Sequence, residues 1–160
     1  MCQYSADNGK HTSWHLTHLG GIIQRSPGLT IIESTAVIEE GRITPEDSGL
    51  WEDSQIEPLK RLTDFAHSQG QYVGIQLNHA GRKASTVAPW IDRKAAAPAA
   101  AGGWPDKIYS VSGVPYDEHT YVPQTLDLGG IAAIKQAFVA AAQRSVAAGF
   151  DVSLSPTMQL

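Results

Sequence analysis

Gly74-Ile75-Gln76-Leu77-Asn78-His79-Ala80-Gly81-Arg82-Lys83 carries an apolar run straight into a Gly-Arg turn and delivers an amide side chain just before it. Residues 72–77 are short, apolar and bounded by Gly70 and Gly81, which predicts a buried strand. Residues 29–37 upstream repeat the signal, apolar on both faces and rich in β-branched side chains, so a second buried parallel strand is expected there. Glu33 interrupts that run, and a carboxylate inside a buried strand requires a polar partner.

The segments between and around these strands have helical spacing. Ser54-Gln55-Ile56-Glu57 fits a capping box, and Ile56, Leu59, Leu62 and Ala66 form the apolar side of a helix closed by Gly70. Thr12-Ser13 precede Trp14, Leu16, Leu19 and Ile23, a helical stripe expected to end near Arg25, with Ser26-Pro27-Gly28 as the breaker. Residues 38–53 read as a polar loop. A third helix is expected over 127–148 with Ile131, Ile134, Phe138 and Ala142 on one side; Gly149 ends it, and Phe150-Asp151-Val152 begins another strand. Residues 84–124 form a long Ala/Pro/Gly-rich connection holding Trp90, Trp104, Tyr109, Tyr116 and Tyr121, and connections of that length in a compact domain are functional or mobile. Strand and helix thus alternate, which gives an α/β class with parallel strands, and pattern alone fits both a doubly wound sheet and a (β/α) barrel. The long segments follow strands, the side on which barrel enzymes hold their active sites.

Composition removes several function classes. A 160-residue chain with 42% apolar residues and both charge signs has the makings of a globular core. Its formal net charge of −4 and the lack of a basic stripe argue against nucleic acid as a partner. Apolar runs such as Leu29-Thr30-Ile31-Ile32 fall far below the roughly 20 residues of a membrane helix, so no membrane association and a cytoplasmic, soluble protein are expected. One cysteine excludes an internal disulfide and CxxC-type metal clusters. His11, His15 and His18 have no evident acidic or thiol companion in the sequence, so no metal is expected.

Met1-Cys2-Gln3-Tyr4-Ser5, taken with the Gln76 segment, resembles the old yellow enzyme family of flavin-dependent ene-reductases, in the thermophilic-like subclass that carries cysteine where other members carry threonine. His15-Leu16-Thr17-His18, Ile32 through Val37, Gly41-Arg42-Ile43-Thr44, Gly49-Leu50-Trp51 and Ala148-Gly149-Phe150-Asp151 fall in the same order and spacing as in that family. The resemblance implies a TIM barrel with flavin mononucleotide (FMN) at its C-terminal mouth, reduced by NADPH or NADH and passing hydride to a small-molecule activated alkene such as an enone. It also implies roles for residues. Cys2 matches the cysteine near the flavin N5 edge, in contact with both cofactor and substrate, and Tyr4 matches an aromatic on the substrate side whose phenol bonds a carbonyl. Ser34 and Gln76 match flavin contacts at the ends of the second and third barrel strands. An amide suits the mixed donor and acceptor edge of the flavin pyrimidine ring. His79 and Arg82 are assigned to shaping the strand end and the loop after it. Read without the resemblance, Cys2 is a buried small side chain and Tyr4 a packing residue.

The departures from the family matter equally. Met1 aligns inside the family's first strand motif, and after Val152 the family continues to a histidine pair, or a histidine and an asparagine, that clamps the substrate carbonyl and to a proton-donating tyrosine. Here residues 153–160 read as a divergent tail. A (β/α)8 barrel takes about 250 residues, so the expectation is an incomplete barrel, its N-terminal part only, over residues 1–160, with 84–124 as a loop on the substrate side. Three readings compete: an ene-reductase lineage whose isolated chain lacks turnover, a non-catalytic remnant that associates with itself or with a full-length homologue, and a small α/β binding module. An unclosed parallel sheet exposes strand edges and apolar interior, which favours association.

Overall fold

The computed structural model of the chain describes residues 1–155. In chain order the elements are α1 (Ser13–Ile23), β1 (Leu29–Ala36), β2 (Ser48–Gly49), α2 (Ile56–Ser68), β3 (Tyr72–Asn78), β4 (Tyr109–Ser110), β5 (Gln124–Thr125), α3 (Leu128–Ala147) and β6 (Val152–Leu154). Four of the strands form one sheet in the order β2-β1-β3-β6, and every pairing in it is parallel.

One apolar cluster holds the three helices to this sheet. Ile32 of β1 and Val73, Ile75 and Leu77 of β3 pack against Leu19 and Ile23 of α1, Leu59, Leu62 and Ala66 of α2, and Ala141 of α3. Burying an isoleucine or leucine of this kind is worth about 1.5–3 kcal/mol, so these few side chains set the layer. On the other face Leu29 and Ile31, each 43% exposed, lie in register with Tyr72 and Gly74, and Gly74 with Val152. Helices on both faces would define a doubly wound sheet. Here one face carries all three helices and the other is bare apolar strand, the arrangement of a barrel wall seen in part.

Several local expectations are corrected. The buried stripe of α1 is His15, Leu19, Gly20 and Ile23, while Trp14 and Leu16 are exposed, because a polar network beneath the sheet end takes in the imidazole of His15. The capping box is made by Glu52 and Gln55, not Ser54 and Glu57; a short 3-10 turn at Asp53–Gln55 precedes α2 and moves the cap upstream. On α3, Ile131 is exposed while Ile134, Ala141 and Ser145 are buried. The loop of residues 38–53 includes β2 and buries Thr44, Asp47 and Ser48.

The last strand starts later than expected. Phe150 is buried in the core and the Asp151 carboxylate accepts the Val73 N–H at 2.8 Å, so pairing begins at Val152 and runs through Ser153 and Leu154. The stretch expected as a divergent tail therefore opens as a sheet strand, and residues 156–160 of it lie outside the described residues.

The long connection is tied down at two places. Val87 N–H bonds Ala95 O and Ala97 N–H bonds Ser85 O, making a finger of residues 85–97 with Pro89 and Trp90 at its tip. The buried Arg42 guanidinium lies over the Trp51 ring at 5.3 Å and the Trp104 ring at 4.7 Å while donating to the carbonyls of Glu39 and Pro45, and so clamps the connection to the loop after β1.

Candidate functional site

An extra residue in β1 decides which side chains meet. Ile31 pairs with Gly74 and Ile32 with Ile75, but the next partners are Ser34 and Gln76, so Glu33 stands unpaired as a β-bulge. Strand side chains alternate between faces, and a regular strand would send Ser34 to the helix side. The bulge turns it instead onto the face of Gln76 and Asn78.

Those three side chains line a cavity of about 370 Å³ at the C-terminal end of the strands, together with Cys2, Glu33 and His79. Cys2 reaches it from the N-terminal segment, Ser34 from β1 and Gln76 from β3, so three of the residues singled out in the sequence converge. Tyr4 does not line this cavity. It sits in a neighbouring one of about 190 Å³, which shares Ile43 and Lys83 with the first.

Glu33 fastens the N-terminal segment over the sheet. Its carboxylate is only 5% exposed, and Oε1 accepts the Gln3 N–H at 3.0 Å and the Ser48 hydroxyl at 3.2 Å. His11 Nε2 is 2.9 Å from the same Ser48 oxygen, the His11 and His15 rings stack at 3.9 Å, and His15 Nε2 lies 3.7 Å from Glu33 Oε1. The sequence showed no acidic companion for these histidines; the fold supplies Glu33. Among the described residues, no group of three or more His, Cys, Asp or Glu is disposed to hold a metal ion.

Burial and charge set the protonation of the site. The Cys2 thiol is pushed up to about 12, first by burial and then by the carboxylates of Asp47 and Glu33, which outweigh the opposing pull of the N-terminal ammonium and the Ser34 backbone N–H. It is therefore a neutral, polarizable contact near pH 7 and not a nucleophile. Tyr4 is raised to about 12 by burial and by Cys2, Asp47 and Glu33, so its phenol keeps its proton. Its ring meets Trp90 edge to face at 5.2 Å. Asp47 accepts the Ile43 N–H at 2.7 Å and the Thr44 hydroxyl at 3.0 Å; burial still lifts it to about 6. His79 is lowered to about 4 by burial, and its Nδ1 accepts the Gly81 N–H at 3.0 Å, so the neutral ring carries its proton on Nε2. That ring packs under the loop after β1, where a Cβ on Gly41 would lie 3.0 Å from His79 Cδ2. The Arg82 guanidinium lies 5.9 Å from the Tyr116 ring.

Sequence reading missed Asn78, Glu33 and Lys83 as cavity residues. Asn78 was within reach of the period-two rule, being two residues beyond Gln76 on the same strand.

A one-sided parallel α/β wall with a cavity at its strand ends is the arrangement of part of a TIM barrel, the fold whose ligand sites lie at that end. The family profile for NADH:flavin oxidoreductase / NADH oxidase matches residues 1–153, and the chain belongs to that family. An NADH:flavin oxidoreductase of Gibberella zeae is 58% identical over 153 residues, covering 95% of this chain and 37% of the relative. Morphinone reductase superposes with a TM-score of 0.79 at 21% identity over 97% of this chain and 41% of its own. Old Yellow Enzyme from Pichia gives 0.77 at 20% identity, covering 97% and 40%. These two likenesses speak for the fold. The old yellow enzyme homologue of Zymomonas mobilis gives 0.74 at 25% identity, covering 95% and 41%. The chain thus spans about two fifths of the length of the relatives it matches.

Proposed function

We propose that the chain supplies the ring-facing side of an FMN site in an oxidoreductase that reduces activated alkenes at the expense of NADPH or NADH. The observation behind this reading is the convergence of Cys2, Ser34 and Gln76, from three separate segments, on one cavity. Its volume, about 370 Å³, falls within the range of about 300–1,000 Å³ found for small-molecule pockets.

The residues present fit a flavin ring. Among the described residues the side chains of Ser34, Gln76 and Asn78 make no hydrogen bond, which leaves two amides and a hydroxyl facing the cavity with donors and acceptors to spare. Bound FMN would supply the two-electron hydride chemistry. Gln76 and Asn78 would hold its pyrimidine edge, and Ser34 would add a hydroxyl beside them. Cys2, kept neutral, would give a soft contact without a charge that opposes electron delivery. Tyr4 would donate its retained phenolic proton in a hydrogen bond to the carbonyl of an enone, orienting it. Morphinone reductase has been solved with tetrahydroNAD, and a nicotinamide nucleotide is the reductant proposed here. No helix among the described residues is long and apolar enough to cross a membrane; a cytoplasmic location is part of the proposal.

A second reading has its own observation. The face bearing Leu29, Ile31, Val152 and Leu154 is apolar and bare, so association with another copy or with a longer homologue is proposed to cover it.

Titrating FMN with the purified chain while following flavin emission tests the first reading. Saturable quenching is expected; emission that stays unchanged through a protein excess would refute it.

A further inference from the structure

We propose that the smaller cavity is an oxyanion site, built to take the phosphate or carboxylate carried by the reductant or substrate that stacks on the flavin ring of the larger one. This rests on the flavin reading of the larger cavity. The two cavities share Ile43 and Lys83, so a ligand lying over one can extend into the other without leaving the protein surface. At about 190 Å³ the second is below the usual range for a whole ligand and suits a terminal group.

Its charge is one-sided. Among the described residues, Arg93 and Lys94 contribute to the wall against a single carboxylate, Asp117. Asp117 is turned to its own loop, where Oδ1 accepts the His119 N–H at 2.9 Å. Arg93 and Lys94 enter no ion pair or hydrogen bond through their side chains among the described residues, so their charge is open to a ligand. Lys83 Nζ is held 4.4 Å over the Tyr116 ring. This excess stands out in a chain whose net charge is −4.

The cations are also held in place. Arg93 and Lys94 leave the tip of the 85–97 finger, whose legs are bonded to each other and, through Thr86 N–H to Ile43 O at 2.8 Å, to the loop over the larger cavity. The tip is seated by Trp90 on Tyr4. A loop pinned on both sides spends little entropy in presenting two cations, and arginine can bind an oxyanion with two parallel hydrogen bonds.

The test titrates the full chain through its tryptophan emission at low salt, using NADPH and NADH as one pair and a carboxylate-bearing enone and its methyl ester as another. About tenfold tighter binding of the member with the added anionic group, the 2′-phosphate of NADPH or the free carboxylate of the enone, is expected in at least one pair, the size of one charged hydrogen bond; the pair that shows it says whether the reductant or the substrate brings the anion. Arg93→Ala with Lys94→Ala should abolish the discrimination, and Arg93→Glu with Lys94→Glu should reverse it. FMN quenching should be unchanged in both. Equal affinity within both pairs, or discrimination that survives the double alanine variant, overturns the proposal. Discrimination without any FMN quenching would keep the oxyanion site and refute the flavin reading, so the two fail separately.

Discussion

Ser34 and Gln76 are register partners on adjacent parallel strands only because Glu33 occupies an extra position in β1. The same residue that creates the bulge also accepts the Gln3 N–H and so holds Cys2 above the pair. Strand register and N-terminal placement are therefore one device, centred on a buried carboxylate.

Replacing Glu33 separates its two tasks. Glu33→Gln keeps an acceptor for Gln3 and Ser48, whereas Glu33→Ala strands both donors, at about 1–3 kcal/mol for each group left unsatisfied. Urea unfolding should show the alanine variant losing more stability than the glutamine variant. Deleting Glu33 removes the bulge but sets Ser34 directly after Ile32, so Ser34 stays on the Gln76 face; only the acceptor for Gln3 is lost, and FMN quenching should weaken in the folded fraction through the loosened Cys2 segment alone.

Cys2 should label slowly. With its thiol near 12, little thiolate exists at pH 8, so iodoacetamide should modify the folded chain far more slowly than the same chain in urea. Equal rates in both states would mean that the thiol is not enclosed by Glu33 and Asp47 as described.

Stability should fall from pH 6.5 toward pH 4. His11 lies well below, and His79 at about 4 against, an unfolded value of 6.5, both through burial first; the unfolded chain takes up those protons earlier, and the stability they carry is lost as pH falls. Asp47, at about 6 against 3.8, works in the opposite sense: the folded chain binds its proton first and gains as pH falls through 6. Two histidines outweigh one aspartate, so the net slope is a loss. Asp47→Asn removes the opposing gain, and thermal melts across this range should show a steeper decline in that variant.

Arg42→Lys should loosen the long connection. A lysine keeps the charge but cannot span the Trp51 and Trp104 rings while bonding two carbonyls. Limited proteolysis should cut within residues 84–124 sooner in the variant, with a stability loss of about 1–3 kcal/mol by urea unfolding.

The sequence disclosed the sheet and the family more readily than the site geometry. The runs around Ile32 and Ile75 were legible because a strand buried on the helix side must be apolar there, and the Gln76 and Cys2 segments carried the family. Three things were hidden. A bulge is a backbone event, and Glu33 in an apolar run was its only trace. His15 has no acidic companion nearby in the sequence, and Glu33 arrives from a different element to take it inside. Nothing in the sequence marks Arg93 and Lys94, since only the Val87 to Ala95 and Ala97 to Ser85 hydrogen bonds turn that loop into a finger beside Tyr4.

The most direct measurement is side-chain amide NMR of the nitrogen-labelled chain during FMN addition, with Gln76 assigned from Gln76→Ala. Shifts of the Gln76 and Asn78 side-chain NH2 signals and of the Ser34 backbone amide, with the α1 and α2 amides unmoved, are expected of a ring seated in the larger cavity. Shifts confined to the helical face, or none at Gln76 while FMN binds, would contradict it.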